Sequence, residues 1–149
     1  MEETQLRTAL KRLFAEQLFA VLATEGRRAP HLNIVSFAPA DELRTTLFAT
    51  PRQSQKFANL RRHPEVALFV DNRSNRLQDL QEVYGVEISG TAAEAAGPEE
   101  PRYRELYLAR FPALEEFLGS PGTAFMAVRV RRYDVVHRFQ EVVFWEVPQ

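Results

Sequence analysis

Apolar positions follow two different periods along this chain, and the changes of period mark its elements. Leu6, Leu10, Leu13 and Phe14 recur at helical spacing, so residues 4–16 are expected to open the chain as an amphipathic helix. Leu18–Thr24 (LFAVLAT) and Pro30–Pro39 (PHLNIVSFAP) read as the first two strands, with a turn at Glu25-Gly26 between them. Asn72–Gln81 is polar and reads as an exposed loop. In Val83–Ala95, Val86 and Ile88 share one face of a long strand and Glu87, Ser89 and Thr91 the other. Gly85 and Gly90 imply a bulge, a bend or close approach by another backbone there. Gly97-Pro98 starts a helix with Tyr103, Leu106 and Tyr107 as its inner stripe; Pro112 breaks it, and a shorter helix with Leu114, Phe117 and Leu118 stops at Gly119. Thr123–Arg132 alternates strictly, Asp134–Phe139 continues it past a kink, and Val142–Val147 is the last strand.

The stretch Thr45–Asp71 organises the rest. Thr45–Thr50 is a short strand stopped by Pro51, which has no amide to donate to a ladder but fits the first turn of a helix. Two caps are open to that helix: Thr50 with Gln53 as a capping box, or Ser54. Phe57 and Leu60 form its apolar stripe, His63-Pro64 ends it, and Glu65–Asp71 is the following strand. Its start carries Arg52, Ser54, Gln55 and Lys56 and no acid. Free N–H groups, the positive end of the helix dipole and a lysine suit an anion such as phosphate. A solvated surface face is the plain alternative, but first-turn cations oppose the dipole unless an anion is present.

Six to seven strands with a helix in front and helices inserted late indicate an α+β protein, a single domain over residues 1–149. Its sheet is expected to form a closed or nearly closed antiparallel barrel, since so many strands would otherwise leave bare edges. Composition narrows the function. The formal net charge of −1 offers no field for nucleic acid or an anionic membrane. The absence of cysteine excludes disulfides, iron–sulfur clusters and thiol chemistry, and suits a cytoplasmic location. No apolar run approaches the roughly 20 residues of a membrane span.

Catalytic signatures are absent. His31, His63 and His137 lack metal-ligand spacing, so no metal site is expected, and no catalytic residue is assigned. Trp145, the one tryptophan, reads as core or interface, with ring stacking as a lesser alternative. Chemistry without an acid, base or metal constellation points to a cofactor. Asn33, Ser36 and Thr50, with nearby backbone, would face its planar ring.

The segments PHLNIVSFAP, TTLFATPRQSQKFANLRRHPEVALFV and VEISGTAAEA resemble the pyridoxamine 5'-phosphate oxidase-like family of FMN-binding split barrels. The shared pattern is strand, Thr, Ser-x-Lys, helix, His-Pro and apolar strand. The resemblance implies a six- to seven-stranded antiparallel split β-barrel with an N-terminal helix, a phosphate-site helix and a late helical insertion. It implies Ser54, Gln55 and Lys56 at the FMN phosphate, Thr50 with the backbone of Phe48 and Ala49 at the ribityl chain and ring, and Asn33, Ile34 and Val35 along the isoalloxazine edge. It also implies a homodimer with its sites at the subunit interface, where Trp145 is a candidate contributed by the partner.

True pyridoxamine phosphate oxidases carry an arginine and then a lysine on the second strand, where this chain has Asn33 and Ala38, and a glutamine at about Gly85. The resemblance thus implies FMN binding without vitamin oxidase activity. The tail is more similar to the haem-utilisation and general-stress branches, without the histidine-bearing extension of the former. The expected function is a small cytoplasmic FMN-dependent oxidoreductase acting on a small-molecule substrate or electron donor. The rival is a flavin or haem carrier, or a stress protein, of the same fold without turnover.

Overall fold

Phe37 is the single residue between two strands that lie at opposite edges of one sheet. In the computed structural model, which describes residues 1–138 and 140–149, β1 (Phe19–Glu25), β2 (Pro30–Ser36), β3 (Ala38–Ala40), β4 (Thr45–Pro51), β5 (Glu65–Asp71), β6 (Tyr84–Glu94) and β7 (Thr123–His137) are ordered β2-β1-β5-β6-β7-β4-β3. Every pairing is antiparallel, and β8 (Glu141–Glu146) adds to the second half of β7. Because the outermost strands β2 and β3 are consecutive in the chain, the sheet must curl back on itself, and the fold is a split barrel. The buried Phe37 ring fills the step, edge-on to Phe14 at 5.5 Å. Pro30–Pro39 therefore forms two strands instead of the one its sequence suggests, which raises the strand number to eight.

The barrel interior is closed by helices at its ends. From α1 (Glu3–Glu16), Leu6, Leu10, Leu13 and Phe14 enter the core; from α2 (Gln55–Arg62), Phe57 and Leu60 do the same. A second apolar cluster lies outside the barrel, where Tyr103 and Tyr107 of α4 (Glu100–Arg110) and Leu118 of α5 (Glu115–Gly119) cover Ala38, Ala40, Leu47 and Phe125. The strand β4 is consequently buried on both faces. The outer face of β2, β1, β5 and the second half of β7 has no such cover among the described residues, and leaves Phe19, Leu32, Ile34, Phe69 and Val136 exposed.

Local chemistry accounts for most boundaries. Ser54 caps α2 by accepting from the Phe57 amide at 3.2 Å, which decides between the two caps left open. Gly90 sits where the β6–β7 register shifts, and a Cβ there would lie 2.3 Å from the Arg129 carbonyl oxygen. The shift leaves Arg131 outside the pairing, and β7 then runs on to His137; the end of the expected Asp134–Phe139 segment lies outside the described residues. Two expectations fail. Leu106 is 39% exposed, so the inner stripe of α4 is Tyr103 and Tyr107 alone. The polar loop after β5 contains a helical turn, α3 (Asp79–Glu82), because Asp79 accepts from the Ser74 amide at 2.7 Å, the Ser74 hydroxyl at 2.8 Å and the Asn75 amide at 2.8 Å.

Candidate functional site

The split in the barrel is a seam between two unpaired strand edges. β3 pairs with β4 only over Thr45–Leu47, so one edge of Phe48–Thr50 has no strand partner among the described residues. β2 pairs with β1 alone, so the far edge of Asn33–Val35 is likewise free. The two strands approach each other across this seam. Unpaired backbone amides and carbonyls are obligatory hydrogen-bonding groups, so such a seam is a ready acceptor of a polar, flat molecule. At its β4 end begins α2.

The helix start presents a graded set of donors. The amides of Gln55 and Lys56 have no acceptor among the described residues, and neither does the Lys56 ammonium. The Thr50 and Ser54 hydroxyl oxygens are 2.9 Å apart, and Ser54 donates to the Pro51 carbonyl at 2.8 Å. Ser54 therefore serves first as the cap; to donate to an anion it must give up Pro51. Gln55 turns its amide back along the helix to Asn59 Oδ1 at 2.9 Å, away from the helix start. Arg52, expected to add a free cation here, forms a bidentate pair with Glu94 at 2.6 and 3.0 Å. Its hydrogen bond and charge hold the Glu94 carboxyl below its ordinary range against the opposing effect of burial.

The strand residues divide by face. Phe48 points into the core and is fully buried; because the Arg44 carbonyl and the Arg52 amide both pair on the β7 side, the alternation of backbone groups turns those of Phe48 to β7 and leaves Ala49 facing the seam. Ile34 faces outward and is 75% exposed, whereas Val35 faces the barrel. Asn33 lies on the Val35 side of β2, and its amide oxygen is buried without a hydrogen-bond partner among the described residues. The structure thus brings Asn33–Val35, Phe48–Thr50 and Ser54–Lys56 to one seam and helix start. It does not bring Trp145 there. Trp145 stacks on Tyr133 at 5.8 Å, with the Arg7 guanidinium 5.3 Å from its ring. Tyr133 stands nine positions along β7 from Ala124, the partner of Thr50, or roughly 30 Å.

Tyr107 is the residue that sequence reasoning placed only in a helix stripe. Its hydroxyl donates to the Ser36 carbonyl at 2.9 Å, and the Ala49 backbone amide faces that hydroxyl's oxygen. One phenol thereby bridges β2 and β4 at the closed end of the seam, and burial pushes it up to about 12. The helical spacing of Tyr103 and Tyr107 marked the ring as buried, but nothing local indicated what its hydroxyl reaches.

The sequence matches, over residues 6–137, the family model described as pyridoxamine 5'-phosphate oxidase. The chain belongs to this family. Solved structures agree on the fold of this pyridoxamine 5'-phosphate oxidase family member. A heme binding protein from Mycobacterium smegmatis is 18% identical with a TM-score of 0.79 over 91% of this chain, which spans about half (55%) of that protein. A Clostridium acetobutylicum protein related to general stress protein 26 is 11% identical with a TM-score of 0.75, covering 98% of this chain and 97% of its own. An FAD-binding protein from Mesorhizobium loti is 12% identical with a TM-score of 0.68, covering 86% of this chain and 90% of its own. At these identities the likeness is one of fold. No curated protein matches the sequence. No helix among the described residues is long and apolar enough to cross a membrane.

Proposed function

We propose that this pyridoxamine 5'-phosphate oxidase family member binds FMN in the seam and acts as a cytoplasmic flavin-dependent oxidoreductase. The observation that carries the reading is the seam itself, two strand edges that are free among the described residues and end at a helix start whose lysine and two amides are likewise unpaired there. The residues present fit the group. Lys56 and the Gln55 and Lys56 amides suit its phosphate, a charge-assisted set in which each bond contributes roughly 1.5–3 kcal/mol. The orphaned Asn33 oxygen is an acceptor suited to the N–H of a flavin ring. The free edges of β2 and β4 would orient that ring through backbone groups, and Thr50 would serve the ribityl chain. Bound there, the flavin supplies hydride transfer at its N5. The chain's own part is to hold, orient and shield it.

In this reading the uncovered outer face, with Ile34, Phe69 and Val136, is the surface on which two copies meet, and the site is completed by the partner. Asn33 and Ala38 stand where cationic residues would grip a vitamin phosphate, so pyridoxamine phosphate is not the substrate. The absorbance spectrum of freshly purified protein tests the proposal. Flavin bands that bleach on addition of NADH or NADPH support it; a Soret band, a deazaflavin band or no chromophore with no uptake of added FMN overturns it.

A further inference from the structure

We infer that Glu94 sets the anion selectivity of the α2 start by holding Arg52 out of it, so that the site takes a phosphate monoester in preference to a diphosphate. The inference rests on the flavin reading above. Arg52 is fixed at four points. Its guanidinium forks onto both Glu94 oxygens at 2.6 and 3.0 Å, its Nε donates to the Pro121 carbonyl at 3.1 Å, and its amide donates to Gly122 at 2.8 Å. Three of its five side-chain donors are thus committed to the end of β6 and the turn before β7.

Lys56, a compact point charge without an ion-pair partner among the described residues, stands in the first turn of the helix, the turn that carries the two free amides. That set matches a terminal phosphoryl group, whose charge is concentrated on one cluster of oxygens. A diphosphate spreads its charge over two phosphoryl groups and needs a second, forked donor, which is the group that Glu94 withholds. Removing the Glu94 charge while keeping its shape would release Arg52 to a ligand with a second phosphoryl group. The monoester, already served by Lys56, gains little.

The test compares wild type, Glu94→Gln, Arg52→Gln and the double variant by fluorescence titration with FMN, FAD and riboflavin, and by displacement of FMN with inorganic phosphate and pyrophosphate. Wild type is expected to prefer FMN to riboflavin and to FAD. In Glu94→Gln, FAD and pyrophosphate affinities rise about tenfold relative to FMN and phosphate, and the double variant loses that gain. Arg52→Gln alone leaves FMN affinity within about twofold, an arm that stands even if Glu94→Gln folds poorly. An unchanged FAD-to-FMN ratio in Glu94→Gln, or a tenfold FMN loss in Arg52→Gln, overturns the inference. Equal wild-type affinity for FMN and riboflavin would instead overturn the underlying phosphate site, whatever Glu94→Gln does.

Discussion

Asn59 of α2, with no exposed surface, donates its side-chain amide to the Thr24 hydroxyl of β1 at 3.1 Å. The same side chain accepts from Gln55 and from Arg62, each at 2.9 Å. One buried carboxamide therefore ties the helix to the barrel wall and anchors the first-turn residue that precedes Lys56. Truncation to alanine leaves Thr24 buried without a partner, which costs about 2 kcal/mol. Urea denaturation should show that loss in Asn59→Ala. The double variant Asn59→Leu with Thr24→Val should recover part of it, because removing both partners removes the unsatisfied group.

Lys56→Ala should weaken FMN binding by about ten- to a hundredfold, since losing one charge-assisted bond is worth roughly 1.5–3 kcal/mol and about 1.4 kcal/mol is a factor of ten. Riboflavin, which has no phosphate, should bind both proteins alike. Stability without ligand should hold or rise slightly, because a first-turn cation no longer opposes the helix dipole. Equal FMN affinities in the two proteins would return Lys56 to an ordinary solvated role.

Tyr107 makes stability fall in alkali. An unfolded tyrosine ionises near 10, whereas this one, raised by burial, holds its proton to about 12. The stabilisation it carries is complete below pH 10 and drains away between pH 10 and 12, as the unfolded chain releases a proton that the native one keeps. Tyr107→Phe should be less stable at pH 7 by about 1–2 kcal/mol, from the unpartnered Ser36 carbonyl, and its stability should fall less steeply across that window. Parallel denaturation curves at pH 7, 10 and 11 measure both effects.

A dimer built on the uncovered face should give a light-scattering mass of about twice the 17.1 kDa chain. Ile34 and Phe69 flank Val21 in cross-strand register on that face, so a charge at Ile34 would be buried in the middle of an apolar contact. Ile34→Arg should shift the protein to monomer while leaving its circular dichroism unchanged. A wild-type monomer at micromolar concentration would remove the shared-site arrangement altogether.

What the sequence disclosed follows from the reach of each signal. Pro51, Ser54 and His63-Pro64 act within a few residues, so the strand–helix–strand segment could be read directly. The alternation of Thr123–Arg132 announced the longest strand for the same reason. Partners far along the chain left no mark. Arg52 looked free because the acid that claims it, Glu94, lies 42 positions away on β6. Tyr107 gave its burial but not its bridge to Ser36, 71 positions distant. The divided second strand was missed because Phe37 is apolar, like its neighbours, and nothing local shows that the chain there leaves one edge of the sheet for the other. Trp145 was legible as a packed ring, and its distance from the helix start emerged only with the pairing of β7 and β8.

The one-residue crossing at Phe37 has a mechanical corollary. With both margins of the sheet belonging to the same short run of backbone, the strands form a loop of constraints in which no pair can slip independently. A one-residue shift of β2 against β1 would drag β3 against β4 and turn Ala38 and Ala40 away from the cluster they share with Leu47. Alignment is thereby specified twice over, from both directions around the ring. Moving the chain ends to this point by circular permutation would release the ring into an open ribbon, whereas new ends in the Asn72–Gln78 connection would leave every pairing intact. The seam between β2 and β4 is kept narrow by the shortest covalent link the architecture could use.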